Sequence, residues 1–223
     1  MPAERDQRSR RSDRSAPTSR TVPRGVGNLG DSETVSAPPD LPEIVARAFD
    51  VSRRAGYVSF CRNETGRLLA TLAATREGLM AEFGTGTGVG TAWLRSGIRH
   101  EKSRIVTAER DPKLAHAAAE IFQEDPLVDV LTADWEELTH KGPYTLLFLD
   151  ADAPATLGLD TIADLVECGG LVVVDDLAPS ESWPPMSYGR VDPIREAWLT
   201  DERWTAAEIM IAADASVLIA TRA

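Results

Sequence analysis

With 223 residues, the chain is long enough for one domain with an ample core, and its length asks for no second domain. A net charge of -11 argues against a nucleic-acid-binding surface, which needs a basic face, and no run approaches the roughly 20 apolar residues of a membrane span. The first residues lack an apolar signal core, and Cys61 and Cys168 are too few for a disulfide framework, so a cytoplasmic protein is expected.

Residues 1–39 are rich in Arg, Ser, Pro, Asp and Gly and have almost no apolar periodicity. They read as a disordered, solvated tail in front of a folded domain spanning 40–223. Pro42 suits a helix start, and Ile44, Val45, Ala48, Phe49 and Val51 form a helical apolar stripe. A second helix is expected over Thr65–Ala74. Strands and helices then alternate: strand 78–83, helix 90–96, strand 104–109, helix 112–124, strand 128–131, strand 144–150, helix 156–166, strand 170–175 and helix 191–199. Such alternation implies a parallel sheet covered on both faces. Two final strand-like runs, 204–211 and 215–221, are joined by Ala212-Ala213-Asp214, a link short enough only for an antiparallel hairpin. The expected fold is therefore α/β: a doubly wound, mostly parallel seven-stranded sheet with a C-terminal antiparallel hairpin. Cys168, beside Gly169-Gly170 at a helix-to-strand turn, reads as a small packed residue.

The run Glu82-Phe83-Gly84-Thr85-Gly86-Thr87-Gly88-Val89-Gly90 joins a strand to a helix through glycines at every second position. A loop that turns sharply and lets its backbone touch a ligand needs glycine, so this is a nucleotide-cofactor loop. A dinucleotide fingerprint would need Gly-x-Gly-x-x-Gly/Ala. Starting it at Gly84 puts Val89 in the last place, and starting it at Gly86 puts Thr91 there; both frames fail.

The Glu-x-Gly-x-Gly-x-Gly pattern instead resembles motif I of the class I S-adenosylmethionine-dependent methyltransferases. The resemblance implies that Glu82, Gly84, Thr85, Gly86 and Gly88 hold the methionine and ribose part of S-adenosyl-L-methionine.

Ligands of an open parallel sheet bind beyond the carboxyl ends of its strands, and here those ends are acidic. Glu109 ends one strand, placed to accept both ribose hydroxyls or else to cap the helix opening near Asp111-Pro112. Asp134 resembles the family acid that accepts from the adenine amino group, or it is an N-cap. Trp135 either stacks on the adenine ring or fills the core. Asp150 ends the next strand, and Asp175-Asp176 end the one after.

Together these segments look like the cation-dependent, catechol-type O-methyltransferases. By that resemblance Asp150, Asp175 and Asp176 are ligands of Mg2+ or another divalent cation, and Asp150 also borders the cofactor. The implied activity is methyl transfer to a small-molecule acceptor, an aromatic hydroxyl, with no nucleic-acid or membrane partner; the homodimer is the family's common assembly. Two departures stand out: Ala153 occupies the place of the family's lysine base, and Asp176 that of its usual Asn. Asp150 and Asp152 are the candidate catalytic groups, with His140 and Tyr188 as other conceivable bases.

Residues 177–190, carrying Trp183, Pro184, Pro185, Met186 and Tyr188, are expected to cover a flat acceptor or to be disordered. Arg53, Arg54, Tyr57 and Arg62 form a candidate opposite wall, or else ordinary surface. Two further readings stay open: a catalytically silent methyltransferase-like binding protein, and a nicotinamide-dependent oxidoreductase. The second leaves Asp150, the Asp175-Asp176 pair and the terminal hairpin unexplained.

Overall fold

A computed structural model describes residues 40–150 and 156–223. The tail expected over 1–39 lies outside the described residues, as do Asp152 and Ala153.

Helices α1 (Glu43–Ala55) and α2 (Asn63–Ala73) come first. The alternating body follows as β1 (Leu79–Phe83), α3 (Val89–Gly97), β2 (Arg104–Glu109), α4 (Pro112–Phe122) and β3 (Val128–Thr132). It continues through a 3-10 turn (Trp135–His140), β4 (Tyr144–Leu149), α5 (Leu159–Leu165) and β5 (Val166–Leu177). A two-residue pair, β6 (Met186–Ser187) and β7 (Arg190–Val191), precedes α6 (Pro193–Thr200), β8 (Trp204–Ala212) and β9 (Ala215–Arg222).

The seven-stranded sheet has the order β3-β2-β1-β4-β5-β9-β8. Its first five strands are parallel, and β9 runs antiparallel to both β5 and β8. Alternate side chains point to opposite faces, and the burial follows that period. Met80, Leu146, Phe148 and Val173 pack with α1–α3, whereas Ala81, Phe83, Leu147, Leu149 and Val172 pack with α5, α6 and the 3-10 turn.

The register fixes the site. Phe83 lies beside Ala108 and Leu149, and Leu149 beside Val174. The next residue on each strand, Gly84, Glu109, Asp150 and Asp175, therefore emerges along one rim.

Several details differ from the sequence expectations. β5 begins four residues early because Val166 already pairs with Tyr144, which shortens the preceding helix to Leu159–Leu165. Cys168 is exposed, not packed, since it sits on the outlying start of that strand. α6 begins at Pro193 because Asp192 caps it, accepting the Arg195 N–H at 3.0 Å. The Arg195 side chain is buried, and its guanidinium donates to Ala178 O at 2.8 Å and to Glu208 at 3.0 Å. It thereby ties the start of the segment after β5 to the edge strand of the sheet, which a buried charge does only when so paired.

Candidate active site

The glycine loop leaves β1 with Gly84, Gly86 and Gly88 at φ 102°, 52° and 90°, the left-handed region that a β-carbon opposes. Thr85 does not face outward; its hydroxyl meets that of Thr107 at 2.5 Å in the buried layer beneath. The Thr85 N–H on Ala108 O at 3.2 Å ties the loop to the next strand, and the Gly88 N–H on Thr85 O at 2.9 Å closes it internally.

A cavity of about 350 Å³ opens beside the loop, lined by Tyr57, Gly84, Glu109, Asp134 and Trp135 with Ala108, Arg110, Asp111 and Leu114. That volume lies within the usual range for a small-molecule site. Glu109 accepts the Gly86 N–H on Oε2 at 2.9 Å and the Asp111 N–H on Oε1 at 2.8 Å. It is not the cap of α4; Asp111 is, accepting from Lys113 at 2.8 Å. Each Glu109 oxygen keeps a further lone pair for a ligand. Asp134 caps the 3-10 turn, its Oδ1 accepting the Glu136 N–H at 3.3 Å, while it also lines the cavity. Trp135 packs one face on Phe83 with centroids 5.8 Å apart and planes at 14°, and the residue also lines the cavity.

Glu82 stands beneath the loop and is not among the residues lining the cavity. It is buried, and its Oε2 accepts from the Thr91 hydroxyl and, at 3.2 Å, from that of Thr107. Burial pushes its carboxyl up to about 8, with the charge of Asp150 adding to the rise. A carboxyl raised on folding stabilises the fold fully below its ordinary range, and this contribution is lost as pH climbs toward the folded value. Asp175, pushed up to about 6 mainly by burial, loses its own contribution at lower pH. Between about pH 6.5 and about pH 8.5, wild-type melting temperature is therefore expected to fall, and Glu82→Gln, which keeps the shape without the charge, to flatten that fall. Equal slopes in the two proteins would refute a protonated Glu82.

Asp150 follows β4, its N–H on Phe83 O at 3.2 Å. Its charge raises both Tyr57 and Cys61 after the larger effect of their own burial, so it stands on the rim between the cavity and α2. Asp175 is buried and accepts from the Thr65 hydroxyl of α2 at 3.1 Å, whereas Asp176 is exposed with φ 60°. Among the described residues no group of three or more His, Cys, Asp or Glu is placed to hold a cation. As folded, Asp150, Asp175 and Asp176 therefore do not fit the divalent cation expected of them: one carboxyl is turned to a buried hydroxyl and the next to solvent.

Tyr188 is fully exposed on the β6–β7 turn, Trp183 is largely exposed, and His140 is exposed at the end of the 3-10 turn. None lines the cavity. Of the four residues expected to wall an acceptor, Tyr57 lines the cavity beside the glycine loop, Arg53 pairs with Asp50, and Arg62 pairs with Asp214 at 3.0 Å. Ser52 and Thr65, which bind the loop and Asp175 from the two N-terminal helices, carry no sequence signal beyond helical spacing.

A family profile described as a methyltransferase domain matches residues 81–177. The chain also superposes on solved structures. An O-methyltransferase from Bacillus cereus in complex with S-adenosylhomocysteine (SAH) is 20% identical at TM-score 0.66, covering 82% of this chain and 92% of that one. The O-methyltransferase TomG from Streptomyces achromogenes, with S-adenosylmethionine, is 22% identical at TM-score 0.65, with coverage of 82% and 92%. The SAH-bound methyltransferase PaMTH1 from Podospora anserina is 20% identical at TM-score 0.65, with coverage of 82% and 89%. No curated protein matches the sequence. Residues 81–177 thus match a methyltransferase domain, and the fold is the one these solved methyltransferases share. Its described residues contain no helix long and apolar enough to cross a membrane.

Proposed function

We propose that the chain is an O-methyltransferase that moves the methyl group of S-adenosylmethionine to a small acceptor, an aromatic hydroxyl compound. The observation that carries this reading is the cavity between Gly84 and the pair Asp134-Trp135, with the Glu109 carboxylate on its wall. In this reading the loop backbone at Gly84, Gly86 and Gly88 faces the methionine end, Glu109 accepts from the ribose hydroxyls, and Asp134 and Trp135 receive the adenine. Thr85 and Glu82 support the loop from below. When bound, S-adenosylmethionine supplies a sulfonium methyl that an acceptor oxygen attacks in line, the O–C bond forming as the C–S bond breaks and its electron pair stays on sulfur. Asp150, on the rim beside the cavity, is the carboxylate offered to the acceptor's proton, and Asp152, outside the described residues, is the other candidate from the sequence. A divalent cation has no part in this scheme, because Asp175 and Asp176 have separate surroundings. The two unpaired cysteines suit a protein working in the cytoplasm.

Calorimetric titration with S-adenosylmethionine and with NAD tests the cofactor, and binding of NAD alone would sink the reading. Transfer of a labelled methyl group to a panel of catechols and simple phenols tests the reaction. Turnover is expected to survive a chelator; a protein that binds the cofactor and methylates nothing would be the silent binding protein instead.

A further inference from the structure

Tyr57 follows α1, whose last turn is fastened to the glycine loop by the hydrogen bond between the Ser52 and Thr87 hydroxyls. The ring comes to rest on Gly86. A β-carbon there would lie 2.8 Å from Tyr57 Cε1 and 2.9 Å from its hydroxyl oxygen, so the glycine is what lets the ring seat. Tyr57 lines the same cavity as Glu109 and Trp135 while remaining only half-buried. The nearer face of Trp135 toward β1 is already taken by Phe83, which leaves Tyr57 and Trp135 as the two aromatic groups bordering the space where a ligand lies.

We propose that Tyr57 is a cofactor-binding residue, which closes the cavity from the α1 side and covers the ribose part of S-adenosylmethionine beside Glu109. This rests on the cofactor reading above and moves Tyr57 from the acceptor wall to the cofactor. An aromatic ring that covers a ligand contributes chiefly through its face, so the hydroxyl is secondary and the ring decisive.

The chain's three tyrosines give the experiment its own controls. Tyr144 is fully buried and Tyr188 fully exposed. In the full-length protein treated with tetranitromethane and mapped by mass spectrometry, nitration is expected at Tyr57 and Tyr188 but not at Tyr144. Saturating SAH is expected to suppress nitration at Tyr57 by about tenfold and to leave Tyr188 unchanged. By calorimetry, Tyr57→Ala is expected to weaken SAH binding by about tenfold and Tyr57→Phe by less than about threefold, with unliganded melting temperatures close to wild type. If wild type binds SAH while Tyr57 nitration and the Tyr57→Ala affinity stay unchanged, this assignment is overturned alone. If wild type binds neither SAH nor S-adenosylmethionine, the cofactor reading falls and takes the assignment with it.

Discussion

Replacing Glu109 with Ala is expected to weaken S-adenosylmethionine binding by roughly a hundredfold or more, because in the proposed cofactor site the carboxylate serves ligand and loop together. Its two oxygens already accept from Gly86 and Asp111. Removing them frees the loop backbone at Gly86, the position on which Tyr57 rests, and takes away the charged acceptor offered to the ribose. Glu109→Gln keeps the shape and one acceptor but turns the other into a donor facing a backbone N–H, so an intermediate loss of roughly tenfold is expected. Asp134→Ala is expected to cost less than Glu109→Ala, since Asp134 holds the 3-10 turn and not the glycine loop. Calorimetry on the three variants orders these effects. A Glu109→Ala protein that binds within about threefold of wild type would reduce Glu109 to a strut of the loop.

The framework was legible because its signals are local. Buried parallel strands read as continuous apolar runs, the glycines at alternate positions mark the strand-to-helix turn, and the short 212–214 link admits only a hairpin. Once the strand order is known, the register explains why Glu109, Asp150 and Asp175 share a rim. What the sequence does not carry is the direction in which a side chain turns when it reaches that rim. Asp175 and Asp176 are adjacent in sequence, yet one is buried on Thr65 and the other exposed, because the backbone takes a positive φ at Asp176. Glu82 similarly looks like a ligand-facing acid at a strand end but points to Thr91 and Thr107. The role of Tyr57 depends on α1 packing against the glycine loop, a contact about thirty residues apart along the chain and carried by single hydroxyls and one ring. The β6–β7 pair escaped notice for a simpler reason, since two-residue strands are too short to show a period.

Gly90→Ala is expected to destabilise the fold by about 3 kcal/mol and to lower the melting temperature by roughly 6–12 °C. A β-carbon at residue 90 would stand 2.0 Å from Glu82 Oε1 and 3.1 Å from Phe148 Cε1. Glu82 has little room to move: it is buried and its other oxygen is tied to Thr91 and Thr107. The clash can be relieved only by moving α3 or by turning a neutral carboxyl away from its two hydroxyl partners, and either route disturbs the loop between them. The fourth glycine of the motif is thus required by the acid that opens it, not by the cofactor. That coupling has a distinctive signature. Glu82→Ala empties the space, so Gly90→Ala is expected to cost much less in its presence, and the double variant should be more stable than the two single losses added together. Melting curves of the four proteins form the cycle. Additive losses would mean that residue 90 is constrained by Phe148 or by the helix backbone, and that the pairing of Glu82 with Gly90 across the motif is incidental.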